Sequence, residues 1–294
     1  MGNIITDLKQ RFRNGNISMQ LIYINIGIFL LLTMIDIVLL LFNVRDISIT
    51  RWLEMPSDVS RLLVQPWSII TYMFIHADIF HLLFNMLWLY WFGQLFLYNF
   101  SSKHLRGLYL LGGIAGALLY LLFYNIFPYF HGVSAMMSGA SASVLAIVIA
   151  TAISMPEHRL NLLFFGQVRL KYIALIVVIT DMLFITSSNA GGHIAHLGGA
   201  LAGWIFASGI QKGRYDATSW INAILDTIVG WFHRSPKKPH MKVHVGKHAK
   251  DYDYNARKKA QDDEIDRILD KVRQSGYDGL SAEEKRKLFD ASRR

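Results

Sequence analysis

The chain has 294 residues and no cysteine. It therefore has no disulfide, no thiolate metal site and no cysteine nucleophile. Charge is also scarce: Asp, Glu, Lys and Arg make up 17% of the residues, whereas a water-soluble domain usually carries about 25%. No charged residue occurs between Gly107 and Pro156. A charge-free run of this length exceeds one buried core helix and favours membrane-spanning helices, each of which needs about 20 apolar residues.

The apolar segments predict an all-α membrane protein with six spanning helices. We place these spans at residues 19–43, 79–100, 107–127, 137–154, 171–188 and 191–210. The first span is too long for the apolar core of a signal peptide. The predicted organisation is an N-terminal segment, a six-span core, an amphipathic and basic linker, and a small helical extension, at residues 1–18, 19–210, 211–260 and 261–294.

The distribution of Lys and Arg predicts how the helices are oriented. These residues occur before the first span, after the sixth, and in the loops that follow the second and fourth spans. The loops after the third and fifth spans have none, and only the long loop 44–78 breaks the pattern. Because basic loops stay on the cytoplasmic side, we expect both termini to be cytoplasmic. Spans two, four and six then run inward from the outer face.

This orientation brings four polar residues to a similar depth. Ser141 lies in the first turns of span four, His196 in those of span six, and His81 and Asn85 in those of span two. At a rise of ~1.5 Å per residue, each lies within about 10 Å of the start of its helix. His81 and Asn85 are four residues apart and share one helix face. Intramembrane polar side chains tend to face the bundle interior, so the four residues are expected to meet.

The four residues have the chemistry of acyl transfer. A serine beside a histidine is the minimal apparatus for nucleophilic attack, because the imidazole accepts the hydroxyl proton and returns it to the leaving amine. An oxyanion needs preorganised donors, which His81, Asn85 and the Ser141 backbone amide could supply. Gly139 has no Cβ and lets a neighbouring helix or a substrate backbone approach closely.

Each of these residues also has an ordinary structural interpretation. A serine in a membrane helix commonly bonds back to its own backbone, and a single histidine is commonly a packing or hydrogen-bonding residue. Asp36 and Asp181 are interpreted as structural hydrogen-bonding residues. By contrast, Ser141, His196, His81 and Asn85 occur together on three helices at one depth. This coincidence favours a functional site over four separate structural roles.

No metal and no cofactor are expected. His193 and His196 are three residues apart, but the chain lacks the H-E-x-x-H pattern that supplies two zinc ligands and a base. His193 is expected at the outer rim beside the serine and His196, and His76 is expected to fix the first loop.

Three segments resemble the signature segments of rhomboid intramembrane serine proteases: HADIFHLLFNMLWLYWFG at 76–93, SGASA at 138–142 and AHLGGALAG at 195–203. The resemblance implies a six-helix rhomboid-like bundle that cleaves transmembrane protein substrates near the outer side of the bilayer. It implies that Ser141 is the nucleophile and His196 the base of a dyad. His81, Asn85 and the Ser141 amide would form the oxyanion hole, supported by Gly139 and His193. A multi-pass protein of a bacterial inner membrane is expected.

The sequence departs from the family pattern at three points. Ala142 follows the serine where glycine is frequent, Leu145 stands where an aromatic residue is frequent, and Trp67-Ser68 replaces a Trp-Arg pair. These departures leave activity level and substrate preference open. The alternative is a catalytically silent rhomboid-like protein that binds or escorts membrane clients. A transporter or channel is disfavoured, because there are no paired intramembrane carboxylates and no repeats.

The C-terminal tail is basic, with 19 Lys and Arg against 13 Asp and Glu in residues 211–294. The amphipathic segment 219–232 is expected on the inner leaflet. The basic segment 234–250 is either a lipid-binding segment or a solvated linker. A two-helix unit follows, with a capping box at Ser281 to Glu284, and it resembles C-terminal extensions of some bacterial rhomboids. Membrane lipids are expected partners, nucleic acid is not, and the partner of the tail is unknown.

Overall fold

The computed structural model describes residues 14–44, 48–162, 166–232 and 249–292, with the single residues 6, 9, 10 and 12. Two compact units are present, Met1–Arg234 and Ser235–Arg294. Most of the basic segment 234–250 lies outside the described residues.

The first unit is built from helices. Six of them match the predicted spans in order: α1 (Ile17–Leu41), α5 (Ile79–Asn99), α6 (Ser102–Ile126), α7 (Ser141–Ser154), α8 (Leu170–Leu183) and α9 (Ala190–Gln211). Three short helices lie between α1 and α5, namely α2 (Ile49–Leu53), α3 (Val59–Val64) and α4 (Ser68–Thr71). Two 3₁₀ turns, Tyr72–Phe74 and Pro128–Phe130, and a further helix, α10 (Ser219–Phe232), also belong to this unit.

Side-chain caps explain where the long helices begin. Asn16 accepts a hydrogen bond from the Met19 amide at the start of α1. Asp78 accepts from the amides of Phe80 and His81 at the start of α5. Ser101 caps α6, which therefore begins before the charge-free run. Such caps satisfy backbone donors that a helix leaves unpaired in its first turn.

The fourth and fifth spans are shorter than predicted. Residues 136–140 are not helical, because Met136–Met137 (β2) pairs antiparallel with Met55–Pro56 (β1) of the first loop. The α8 helix ends at Leu183, and the following Ser-Ser-Asn turn leads directly into α9. A hairpin of β3 (Arg159–Leu162) and β4 (Gly166–Arg169) connects α7 to α8.

Three helices form the centre of the unit, with glycines at their contacts. The α7 helix is buried all round from Ala142 to Ala152. A Cβ added to Gly199 or Gly203 of α9 would overlap a backbone carbonyl oxygen of α7. A Cβ added to Gly116 of α6 would lie 2.7 Å from the Ala142 Cβ. The two Gly-x-x-x-Gly motifs, 112–116 and 199–203, thus let α6, α7 and α9 pack backbone to backbone.

The outer helices carry apolar side chains on their surface. Leu30, Leu31 and Met34 of α1 are exposed, as are Leu175, Ile176 and Ile179 of α8. Three described helices, α1, α5 and α6, are long and apolar enough to cross a membrane. An exposed apolar surface on helices of this length is typical of contact with lipid, so the first unit is a multi-pass membrane protein.

The α10 helix is attached to the start of α6 by polar contacts. Asp226 pairs with Lys103 and Arg106, and Arg106 also donates to the Asn222 side-chain oxygen at 2.9 Å. These hydrogen bonds lower the pKa of the Asp226 carboxyl, first through Lys103 and then through Arg106.

The second unit contains α11 (Ala249–Ser275), a 3₁₀ turn (Tyr277–Gly279) and α12 (Ala282–Ser292). Ile268 and Leu280 are buried in it. Ser281 and Glu284 form the predicted capping box, with the Ser281 amide donating to Glu284 at 2.8 Å. A hydrogen bond from Lys271, together with those from Ser281, lowers the pKa of Glu284 to about 2.

Candidate active site

One cavity of about 740 Å³ lies where the N-terminal turns of α5, α7 and α9 meet. Ser141, His196, His81 and Asn85 all line it. The structure therefore brings together four residues from three separate helices. His193 is not among the residues that line this cavity.

Ser141 is the first residue of α7, and the turn before it depends on glycine. Gly139 has φ +128°, a conformation that side-chain-bearing residues rarely adopt. Its amide donates to the Tyr72 carbonyl at 3.0 Å, and the buried Tyr72 hydroxyl donates to the Gly113 carbonyl at 2.7 Å. These bonds tie the turn to the loop before α5 and to α6. The serine is thereby held at a helix N-terminus, where unpaired amides favour negative charge.

His81 lies against Gly139 and beside the serine. A Cβ added to Gly139 would be 2.7 Å from His81 Nε2 and 3.7 Å from Ser141 Oγ. Asn85 is buried one turn further along α5, and its side-chain nitrogen donates to the His81 carbonyl at 2.9 Å. An amide group carries two N–H donors, and the second N–H of Asn85 has no partner among the described residues.

His196 lies in the second turn of α9, and its ring bonds to α8. The Nδ1 atom is 2.9 Å from Oδ1 of Asp181. This contact leaves Nε2 as the ring nitrogen that faces away from the carboxylate. Among the described residues, Ser141 has no side-chain hydrogen bond to His196 or to any other group. Catalytic hydrogen bonds are often long or poorly aligned before substrate binds, so the lack of this bond is compatible with a catalytic pair.

Asp181 also bonds to His193. Its Oδ1 is 2.8 Å from His193 Nδ1, and the residue is only 3% exposed. Asp181 is thus a hydrogen-bonding residue, as predicted. Its partners include His196, the histidine of the candidate dyad, and the sequence did not predict this contact. One signal was available, because ionisable residues inside membrane helices are rare and mark functional sites by default.

Asp181, His193 and His196 are also the residues of the described chain best arranged to hold a metal ion. Their ligand atoms lie within 4.8 Å of one another. Both imidazoles already share one carboxylate oxygen through hydrogen bonds, so the cluster is accounted for without an ion.

Three further residues at the cavity were not singled out as site residues from the sequence. Glu54, from the first loop, lines the cavity, and burial raises the pKa of its carboxyl. Tyr120 and Tyr124 of α6 line the same cavity. No motif marks these residues, because they reach the site only through the packing of the first loop and α6.

The positions that depart from the family pattern have defined environments. Ala142 is buried against Gly116 of α6, so its methyl group occupies the helix contact rather than the cavity. Leu145 lines the cavity. Trp67 stacks on Trp52 with ring centroids 6.5 Å apart and donates to the Trp52 carbonyl at 2.8 Å.

Two other polar residues discussed from the sequence lie outside the candidate dyad. His76 is buried, and its ring centroid is 5.2 Å from that of His81. Asp36 accepts a long hydrogen bond from Thr50, at 3.5 Å.

Comparison with known proteins identifies the family. Residues 64–212 match the rhomboid domain, which is about half of the chain and includes Ser141, His196, His81 and Asn85. The chain belongs to the rhomboid family. As in the sequence prediction, this rhomboid protein is a mostly helical protein with several helices of membrane-spanning length. Residues 249–294 match a family of unknown function (DUF6576).

Two relatives cover parts of this rhomboid protein. RHOMBOID-like protein 12, mitochondrial, from Arabidopsis thaliana is 34% identical over 159 residues, which are 50% of this chain and 47% of that protein. Rhomboid protease GlpG from Yersinia pseudotuberculosis is 26% identical over 173 residues, which are 59% of this chain and 58% of GlpG. The chain therefore spans about half the length of these curated relatives.

Proposed function

We propose that this rhomboid protein is an intramembrane serine endopeptidase that cleaves transmembrane protein substrates. The observation that carries the proposal is the single cavity that Ser141, His196, His81 and Asn85 line together. The name of the GlpG relative, a rhomboid protease, supports the same activity class.

The proposed reaction proceeds through an acyl-enzyme. His196 Nε2 accepts the proton of Ser141 Oγ while Oγ forms a bond to the carbonyl carbon of the substrate. The carbonyl oxygen becomes an oxyanion, held by the Ser141 amide, His81 and Asn85. His196 then gives its proton to the leaving nitrogen as the C–N bond breaks. Water attacks the ester, His196 accepts its proton, and the proton returns to Ser141 Oγ as the second product leaves.

We further propose that the cavity lies near the outer side of the membrane. The pattern of Lys and Arg supports this orientation, because it directs the N-terminal ends of α5, α7 and α9 outward. Water for deacylation enters from that side. A regular substrate helix hides its carbonyl groups in hydrogen bonds, so the segment to be cut must unwind first.

A catalytically silent rhomboid protein that binds or escorts membrane clients is the second candidate. The lack of a hydrogen bond between Ser141 and His196 in the described part of the chain is the observation that favours it. Both candidates use the same cavity, and only the first requires the serine to react.

The test is cleavage of a generic single-span substrate by the detergent-solubilised full chain, with Ser141→Ala measured beside the wild type. We expect cleavage by the wild type and none by the variant. Substrate binding without cleavage by either protein would favour the client-binding candidate. Equal cleavage by both would exclude Ser141 as the nucleophile.

A further inference from the structure

The carboxylate of Asp181 accepts hydrogen bonds from two histidines of the neighbouring helix. Asp181 lies in the last turn of α8, and a short turn leads from there to α9. His193 and His196 lie one turn apart on α9, and their Nδ1 atoms are 2.8 and 2.9 Å from the same Oδ1 atom. A carboxylate oxygen accepts hydrogen bonds, so this geometry assigns a proton to each of the two Nδ1 atoms.

This arrangement selects one tautomer of His196. With the proton on Nδ1, the neutral ring has its lone pair on Nε2. A general base needs a free lone pair on the nitrogen that faces the nucleophile, and a carboxylate on the other nitrogen secures it. A ring without this partner would exchange between both tautomers and could rotate.

Burial strengthens the interaction. The Asp181 side chain is 5% exposed, and its other oxygen, Oδ2, has no partner among the described residues. Among the described residues, the two imidazole groups are therefore the hydrogen-bond partners that stabilise the buried carboxylate. A buried charge is screened poorly, so an imidazolium formed on His196 during proton transfer would be stabilised by this neighbour.

His193 holds the carboxylate in place. It bonds to the same oxygen, lies next to Phe184 with ring centroids 5.8 Å apart, and meets the His196 ring edge-on at 6.0 Å. The two N–H donors fix Oδ1 from two directions, which limits rotation of the carboxyl group.

We propose that Asp181 is a positioning residue that holds His196 in its Nδ1-protonated tautomer, and that His193 keeps the Asp181 carboxylate in place. The inference rests on the proposed protease function for its kinetic consequence, but the tautomer itself does not. Ser141, His196 and Asp181 would then form a hydroxyl–imidazole–carboxylate series rather than a dyad.

A spectroscopic experiment tests the tautomer without any substrate. ¹⁵N NMR of the ¹⁵N-histidine-labelled full chain in detergent, at a pH where the ring is neutral, distinguishes the two tautomers, and His196→Ala assigns the signal. We expect the Nδ1-protonated form in the wild type and a shift toward the Nε2-protonated form in Asp181→Ala. An unchanged His196 signal in Asp181→Ala would overturn the proposal, whether or not the protein is a protease.

Kinetics test the consequence. We expect Asp181→Ala to lower kcat at least about a hundredfold with little change in KM, by comparison with the roughly 10⁴-fold loss when the triad carboxylate of a soluble protease is replaced by an amide. Asp181→Glu is expected to recover part of the rate. Asp36→Ala is the matched control, because Asp36 is an exposed carboxylate of α1 that bonds to Thr50.

The outcomes separate the two proposals. If the wild type does not cleave but shows the predicted tautomer, the protease function fails and the positioning role stands. If Asp181→Ala cleaves at the wild-type rate, the positioning role fails and the protease function stands. Should Asp181→Ala not fold, Asp181→Leu, which has a similar shape but no hydrogen-bond acceptor, is measured by the same NMR and kinetic assays. An unchanged His196 signal or a wild-type rate in that variant again overturns the positioning role.

Discussion

Gly199 of α9 lies directly against the carbonyl group of Ala142 in α7, and no side chain fits between them. Ala142 follows the candidate nucleophile, and Gly199 is one turn beyond the candidate base. The contact therefore sets the separation of the helices that carry Ser141 and His196. The spacing of Ser141 and His196 therefore depends on the absence of a Cβ at Gly199.

Replacement of Gly199 by valine should destabilise the protein and lower its activity. The added side chain would overlap the α7 backbone, and overpacking of a tight core typically costs about 1–3 kcal/mol. Thermal unfolding in detergent and substrate cleavage measure the two effects. Gly27→Val is the control, since a Cβ on Gly27 of α1 meets no atom within 4 Å. Equal Tm values for the two variants would contradict the proposed helix contact.

Ser141→Ala and His196→Ala should each abolish cleavage while the protein still folds. In soluble serine proteases the loss of one catalytic group leaves only residual activity. Gel analysis of substrate cleavage measures the loss, and circular dichroism checks the fold. Ser154→Ala, at the opposite end of α7, serves as the control and should retain activity. Activity of Ser141→Ala near the wild-type level would rule out the assignment.

Chelators should leave cleavage intact, and a serine-directed fluorophosphonate should label Ser141. The proposed reaction has no step that requires a metal ion, although Asp181, His193 and His196 are close enough to bind one. Activity after EDTA treatment and mass spectrometry of the labelled peptide provide the measurements. Strong inhibition by EDTA that zinc reverses would show that the cluster is a required metal site.

Asn85→Ala should weaken catalysis without eliminating it. Removal of one oxyanion donor from a soluble protease costs roughly 10²–10³ in rate. Here His81 and the Ser141 amide share the task, so we expect a loss of about tenfold to a hundredfold by that comparison. His81→Ala should behave similarly. Steady-state kinetics measure the change, with Asn161→Ala, at an exposed position of β3, as the control. A loss as complete as that of Ser141→Ala would indicate a role beyond oxyanion binding.

The cleavage site should lie in the outer part of the substrate helix, at small or helix-breaking residues. Such residues let the helix unwind and expose a carbonyl group to the serine. Mass spectrometry of both products locates the cut. A cut in the cytoplasmic half would contradict the proposed orientation of α5, α7 and α9.

Sequence reasoning predicted the six long helices of the first unit because each is encoded by a continuous apolar run. It was less accurate where a neighbour decides the boundary. The α7 helix begins at Ser141 rather than at residue 137, because Met137 pairs with Met55 of a distant loop. Local apolar composition does not record that pairing.

The sequence alone determined the order of the helices, the family segments and the candidate residues Ser141, His196, His81 and Asn85, since hydrophobic length and residue type are local properties. Only the tertiary structure decided that Asp181 bonds to His196, and that Glu54 and Tyr120 reach the same cavity. These contacts depend on the rotation of α6 and α8 and on the path of the first loop. Rotation and path follow from side-chain packing between elements far apart in the chain, which hydrophobic patterns do not specify.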